Sequence, residues 1–267
     1  MKLQTCAVEK PWGRTDLDPA FGASPTQRIG EIWFQHPTLE DLPLLVKYIF
    51  TSDKLSVQVH PSDEEARDRG FENGKSECWY ILKADEDARL GLGLKSTVSE
   101  DDLRSAAIDG SIEQLMDWRP VQAGDFFYVP AGTIHAIGAG ITLLEIQQNS
   151  DITYRLFDYG RPRELHLEDG IAVSQRRPYA GQHVPNSSTS MDCILLDEAP
   201  FTVIRASSIE SIPSSLKSHQ RWIMPLRGTA CLNAEEATAG ECLLLQPGED
   251  LTLSSNAIVL VGIAGRI

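Results

Sequence analysis

LSVQVHPSDEEARDRGFENGKSECWYIL, residues 55–82, is the stretch whose reading decides the fold. Its opening alternates: Val57 and Val59 point one way, while Ser56, Gln58 and His60 point the other. Its close alternates too, and Lys75 shares the parity of Glu77 once the second strand is extended back to it. A loop of charged residues and glycines joins the two strands. An amide oxygen, an imidazole and a carboxylate aimed at one face invite a metal ion.

Outward from this stretch the chain keeps reading as short strands between turns. Runs at residues 31–35, 44–50, 78–83, 88–95, 125–129, 134–137, 141–147 and 152–157 predict strands. Further runs at 201–206, 221–225, 229–232, 242–246 and 257–262 continue the pattern. The regular spacing predicts a mainly β protein of two jelly-roll-like barrels with a small helical insert. In the insert, Ser99 and Asp102 read as a capping box with Asp in place of Glu, leading into Leu103, Ala106, Ala107 and Ile108. A second short helix is expected over 112–118.

Residues 1–30, rich in Gly, Pro and polar side chains, are expected to wrap a core formed later, with a turn at the KPWG of residues 10–13 and Trp12 packed inward. Lys47 interrupts an apolar strand, and its ammonium is expected to snorkel to an edge. The expected organisation is a metal-binding unit over 1–163 with the insert at about 97–118, a connector over 164–190, and a smaller β unit over 191–267. In that last unit GECLLLQPG, residues 240–248, ends without a histidine, so no metal site is expected there.

At 42% hydrophobic and 23% charged residues the composition is that of an ordinary globular protein. The net charge of −14 argues against nucleic-acid binding and against attraction to anionic membranes. A small anionic substrate then needs a local basic cluster. Cys6, Cys78, Cys193, Cys231 and Cys242 are scattered without a CxxC pair, which predicts free thiols in a reducing compartment. No apolar signal core opens the chain and no apolar run spans a bilayer, so a cytoplasmic location is expected.

The second informative stretch is GDFFYVPAGTIH, residues 124–135. Its Pro-x-Gly turn sets the approach of the strand that carries His135. Together the two stretches match the paired motifs of cupins, with Gln58-Val-His60 where many cupins have His-x-His. VQVHPSDEEA, GKSECWYIL, VPAGTIHAI and ITYRLFDYGR, with KPWG, GEIW and PLLVKYI, resemble type I mannose-6-phosphate isomerases in their short bacterial form.

The resemblance implies a double-cupin fold and one zinc ion per chain, or another divalent metal, held by Gln58, His60, Glu77 and His135. It implies a small hexose phosphate as substrate, with Lys47, Ser56, Lys75, Arg155 and Arg161 facing the same cavity. Lys47, Ser56 and Arg161 would contact the substrate; Arg161 occupies a place where other members have lysine. Mannose 6-phosphate and fructose 6-phosphate would interconvert through an enediol, with Arg155 and Lys75 stabilising the charged oxygen and Glu145 as the base. Leu143 and Gln147 share the parity of Glu145, so a structural role for Glu145 stays open.

Any one of these histidines alone would read as structural; the joint set reverses that. His36, His166, His183 and His219 fall outside it and read as surface or packing residues, as Arg163, Arg176 and Arg177 read as solvated charges. The rival readings are an isomerase of another phosphorylated sugar, a non-haem iron oxygenase on the His60–Glu77–His135 set, and a non-catalytic sugar-binding cupin. A monomer and a homodimer fit the sequence equally.

Overall fold

Alternating apolar residues, rather than helical periodicity, set most of the architecture. The computed structural model describes residues 1–21, 26–186, 191–198 and 200–266; the end of the expected connector, 187–190, lies outside them. The first part of the chain forms β1 (Gln4–Arg14), β2 (Ile29–Gln35), β3 (Leu44–Phe50), β4 (Val57–Val59), β5 (Glu77–Ala84) and β6 (Arg89–Leu94). It continues with β7 (Met116–Pro120), β8 (Phe126–Val129), β9 (His135–Ile137), β10 (Ile141–Gln148), β11 (Tyr154–Phe157) and β12 (His183–Val184). Seven of these make a sheet in the order β1-β2-β3-β10-β5-β8-β12, and five make a facing sheet in the order β11-β4-β9-β6-β7. Trp79, Ile81, Leu90, Leu92, Phe127, Ile137, Ile141 and Leu143 fill the space between them.

Residues 193–264 form β13 (Cys193–Glu198), β14 (Phe201–Ala206), β15 (Arg221–Arg227), β16 (Ala230–Leu232), β17 (Glu235–Ala237), β18 (Leu243–Leu245), β19 (Thr252–Leu253) and β20 (Ile258–Ala264). These make a five-stranded and a three-stranded sheet around their own core of Ile204, Ile223, Leu232, Leu245 and Val261. The result is the double-barrel, mainly β class expected. The two halves share a third core, in which Val46, Tyr48, Leu144 and Ile146 from the large sheet meet Leu195, Phe201, Trp222 and Leu260. Strand β3 is therefore buried on both faces.

The helical insert has the expected start. In α2 (Glu100–Asp109) the Ser99 hydroxyl accepts from the Asp102 amide at 3.1 Å and donates to the Asp102 carboxylate at 2.6 Å. A short α1 (Asp63–Arg67) precedes it, inside the loop between β4 and β5, and carries a full Ser62–Glu65 capping box.

Four expectations need correction. The second insert helix, α3, covers only Ile112–Leu115, because Met116 and Trp118 pair with Leu94 and Gly91 as strand β7. Residues 1–30 do not merely wrap the core: β1 is an edge strand paired with β2. KPWG lies inside β1 at an irregular register between Glu9 and Arg14, where Pro11 is tolerated because an edge strand with a bulge need not supply every donor. The connector contains α4 (Leu167–Val173), which packs Ile171 and Val173 against Leu156 and Tyr154, and the edge strand β12. Finally, Lys47 does not snorkel; it is 6% exposed and points into the first barrel.

Candidate active site

Cross-strand register lines up two rows of side chains that face each other across the first barrel. On the large sheet Trp33 pairs with Lys47, Lys47 with Glu145, and Glu145 with Trp79. On the facing sheet Arg155 pairs with Gln58, and Gln58 with His135. Period-two alternation then puts Lys47, Glu145, Glu77 and Trp79 on the inner face, while Val46, Leu144, Cys78 and Tyr80 join the core shared with the second barrel. His135 reaches its place through the turn before β9: the Thr133 amide donates to the Pro130 carbonyl at 3.1 Å, and Gly132 has a φ of 83°, which a side chain would strain.

His60, Glu77 and His135 converge at the floor, fully buried, with candidate ligand atoms within 4.8 Å of one another. The His60 Nδ1–H donates to the Ile152 carbonyl at 2.9 Å and the His135 Nδ1–H to the Thr133 carbonyl at 2.8 Å. Both Nε2 lone pairs are thereby turned to Glu77, at 3.6 Å from Oε2 and 3.1 Å from Oε1 respectively. Neither Glu77 oxygen accepts a hydrogen bond. Lys75 Nζ balances this carboxylate from one side, 3.4 Å from Oε2, while the two imidazole lone pairs and both carboxylate oxygens converge on one point; anchoring the remote ring nitrogen on a carbonyl is how ligand histidines are oriented. The donor set therefore fits a divalent metal ion.

Gln58 borders the same point, with its Nε2 3.2 Å from His135 Nε2 and its Oε1 accepting from the Ser56 hydroxyl at 3.1 Å. Flipping the amide would turn its oxygen, in place of Nε2, toward His135 Nε2 and the converging donors.

Above the floor lies a cavity of about 260 Å³. Lys47, Ser56, Gln58, Lys75, Glu145 and Arg155 line it. Lys75 Nζ is 3.3 Å from His60 Nε2 and 3.4 Å from Glu77. Lys47 Nζ is 2.9 Å from Glu145 Oε1, and Trp79 Nε1 donates to Glu145 Oε2 at 2.9 Å. Burial alone would push the Lys47 pKa down, but Glu145, Glu31 and Glu77 raise it above the ordinary lysine value. Burial and the nearby Glu77 charge raise Glu145, against the pull of Lys47. Glu77 itself is held well below its usual range: burial opposes this, and Lys75, His60 and His135 outweigh it. Burial and then Lys75 hold His60 well below the usual imidazole range, so its ring stays neutral and able to ligate.

Arg161 is not brought to this cavity. Its Nη2 donates to the Lys54 carbonyl at 2.6 Å, an ion pair of 3.0 Å ties it to Asp158, and its guanidinium lies 5.4 Å from the Tyr159 ring. Arg163, read from sequence as a solvated charge, lines the cavity instead. Sequence reasoning also passed over Glu31, Trp33 and Lys10 as cavity residues. Trp33 Nε1 donates to Glu31 at 2.6 Å, and Lys10 is 3.4 Å from Glu31. The alternation of GEIW carries Glu31 and Trp33 to the inner face beside Ile49 and Lys47, a signal the sequence did hold. His36, His166, His183 and His219 lie outside the cavity lining, His183 stacked on Phe127.

Fold and site together define a metal-binding double-barrel protein of the cupin type. No family model matches the chain. A mannose-6-phosphate isomerase of Streptococcus mutans is 39% identical over 210 residues, covering 64% of this chain and 66% of that protein. One from Bacillus subtilis is 37% identical over 237 residues, covering 73% and 75%. The crystal structure of the mannose 6-phosphate isomerase from Bacillus subtilis superposes with a TM-score of 0.79 at 26% identity, over 98% of both chains. The chain belongs to the mannose-6-phosphate isomerase family.

Proposed function

We propose that the protein is a metal-dependent aldose–ketose isomerase that interconverts mannose 6-phosphate and fructose 6-phosphate. The observation that carries this reading is the buried His60–Glu77–His135 set, with its unsatisfied Glu77 oxygens, under a cavity lined by Lys47, Lys75 and Arg155. Zinc is the metal the donors favour, and His60 Nε2, His135 Nε2, the Glu77 carboxylate and the Gln58 amide oxygen would hold it. When bound, it supplies Lewis acidity at the sugar's carbonyl and hydroxyl oxygens.

The side chains divide the remaining work. Glu145 takes the proton from C2 of the aldose, or C1 of the ketose, and returns it to the neighbouring carbon; its raised pKa suits a base that must also release the proton. Lys47 and Trp79 fix both of its oxygens. Lys75 and Arg155 stabilise the negative oxygen of the enediolate, and Ser56 hydrogen-bonds a sugar hydroxyl. Burial of the floor keeps bulk water from the intermediate. A cytoplasmic location belongs to the same proposal and is supported by five free thiols. Among the described residues no helix is long and apolar enough to cross a membrane.

The test is metal analysis of the purified protein, paired with a mannose 6-phosphate assay before and after chelation. About one zinc per chain and activity that is lost on chelation and regained with metal are expected; full activity without bound metal would sink the reading. For the base, Glu145→Gln should abolish exchange of the C2 hydrogen with solvent while metal stays bound.

A further inference from the structure

Resting on the isomerase reading, Lys75 has to hold its ammonium between the metal floor and the sugar, yet no strand holds Lys75. Strand β5 begins at Glu77, and its ladder with β10 ends at the Glu77–Gln147 pair. Residues 74–76 precede it as irregular chain, all of them buried. Buried backbone amides need partners, so what these three bond to decides where the Lys75 side chain starts.

Each of the three has a different acceptor. The Gly74 N–H donates to Asp63 Oδ1 at 2.9 Å, the Lys75 N–H to the Pro61 carbonyl at 3.0 Å, and the Ser76 N–H to Gln148 Oε1 at 2.8 Å. The two side-chain acceptors are themselves joined, because Gln148 Nε2 donates to the same Asp63 Oδ1 at 2.8 Å. That settles the Gln148 amide: flipped, it would set its NH2 against the Ser76 N–H and its oxygen against a carboxylate. The Gln148 N–H also donates to the Ser76 carbonyl at 3.1 Å, so one residue takes both backbone groups of Ser76. Asp63 is anchored in its turn as the first residue of α1, behind the Ser62–Glu65 capping box. Gly74 lets the segment lie against that helix start, since a Cβ there would sit 2.4 Å from the Ser62 carbonyl carbon.

We infer that Asp63 and Gln148 are positioning residues for Lys75, a side-chain bridge that stands in for the missing ladder and delivers the ammonium to the floor. Neither lines the cavity; they act through the backbone of 74–76. Lys75 Nζ thereby comes to rest 3.3 Å from His60 Nε2 and 3.4 Å from Glu77 Oε2. Glu77 is paired on both sides, with Gln147 and Val129, so loss of the bridge falls on Lys75 rather than on the ligand residue.

The experiment compares Asp63→Ala, Asp63→Asn, Lys75→Met and the Asp63→Ala/Lys75→Met double variant. Steady-state kinetics on mannose 6-phosphate with metal loaded are paired with hydrogen exchange at the amides of 74–76. Asp63→Ala should lower kcat about 10- to 100-fold with KM within about 3-fold, and speed exchange at Gly74 about 10-fold or more. Asp63→Asn keeps the acceptor oxygen and should stay within about 3-fold of wild type in both readouts. On top of Lys75→Met, Asp63→Ala should change kcat by less than about 3-fold, because the group it positions is gone. An unchanged kcat in Asp63→Ala, an equal loss with and without Lys75, or an equal loss in Asp63→Asn overturns the inference. Should Asp63→Ala fail to fold, Gln148→Met breaks the bridge from its other end, and an unchanged kcat there overturns it too. If wild-type protein does not turn over mannose 6-phosphate, the isomerase reading falls by itself. Exchange still reads the bridge in that case, and unchanged exchange at Gly74 in Asp63→Ala overturns it.

Discussion

Replacing Lys47 with Met is the sharpest test of how the cavity wall is held together. The side chains of Lys47 and Glu145 are 8% and 2% exposed and 2.9 Å apart on neighbouring strands. Met fills nearly the same volume, so packing is largely kept and the change is electrostatic. Removing one partner of a buried pair costs about 3–5 kcal/mol, because the other charge is left without its counter-ion. For a chain of this size that corresponds to a fall in Tm of roughly 6–20 °C.

The loss should depend on pH, and its sign follows from Glu145. Burial and Glu77 already raise its pKa, and without Lys47 only the weaker pull of Lys75 is left to lower it. The folded variant then holds a proton that the unfolded chain releases above about pH 4.3. Stability falls as pH rises from there, by about 1.4 kcal/mol per unit, until the raised folded pKa is passed. The variant should therefore stand nearest wild type close to pH 4.5 and furthest from it near pH 8. Wild-type Lys47, whose pKa is raised, keeps its charge throughout that window. Urea unfolding of wild type, Lys47→Met, Glu145→Gln and the double variant at both pH values closes the cycle, and the double variant should recover most of the loss at pH 8. A Lys47→Met loss below about 1 kcal/mol at pH 8, or an equal loss at both pH values, would refute the reasoning.

Trp79→Phe keeps most of a fully buried ring but removes the 2.9 Å donor to Glu145 Oε2. It should cost about 1–3 kcal/mol in urea unfolding, and a change under about 0.5 kcal/mol would count against that hydrogen bond. Glu31 has a lowered pKa: burial acts to raise it, but Lys47, Lys10 and Trp33 outweigh burial. Its ionised form thus stabilises the fold above the ordinary glutamate pKa and stops doing so as pH falls through the folded value. Glu31→Gln should accordingly lose about 1 kcal/mol at pH 7 and little near pH 3, and a pH-independent difference would exclude this account.

The limits of the sequence reading have physical causes that can be named. Alternation counted from Gln58, the middle residue of β4, extends one step past each end of the strand to Ser56 and His60. It was sufficient for the existence of β3 but not for the role of Lys47, since a lysine in an apolar strand can snorkel or pair inward. Only the register of β10, which sets Glu145 opposite Lys47, decides between the two. Strand β1 escaped because its residues are mostly exposed and its hydrogen bonds come from β2, a partner that local composition does not announce.

The two arginines show a sharper boundary. Up to Phe157 the chain is β11, already irregular in register between Arg155 and Phe157. Tyr159 and Gly160 then adopt φ values of 55° and 77°, and two successive left-handed residues reverse the chain within a single turn. Beyond such a pair, parity counted from Arg155 carries no information about which way Arg161 or Arg163 points. A motif match aligns positions along the chain, so it can transfer the charge of Arg161 but not its direction. What fixes direction here is Asp158, a buried acceptor shared by both guanidinium groups, whose influence is visible only once the turn is closed. The direction of an arginine beyond a left-handed turn therefore has to be read from the carboxylate that holds it.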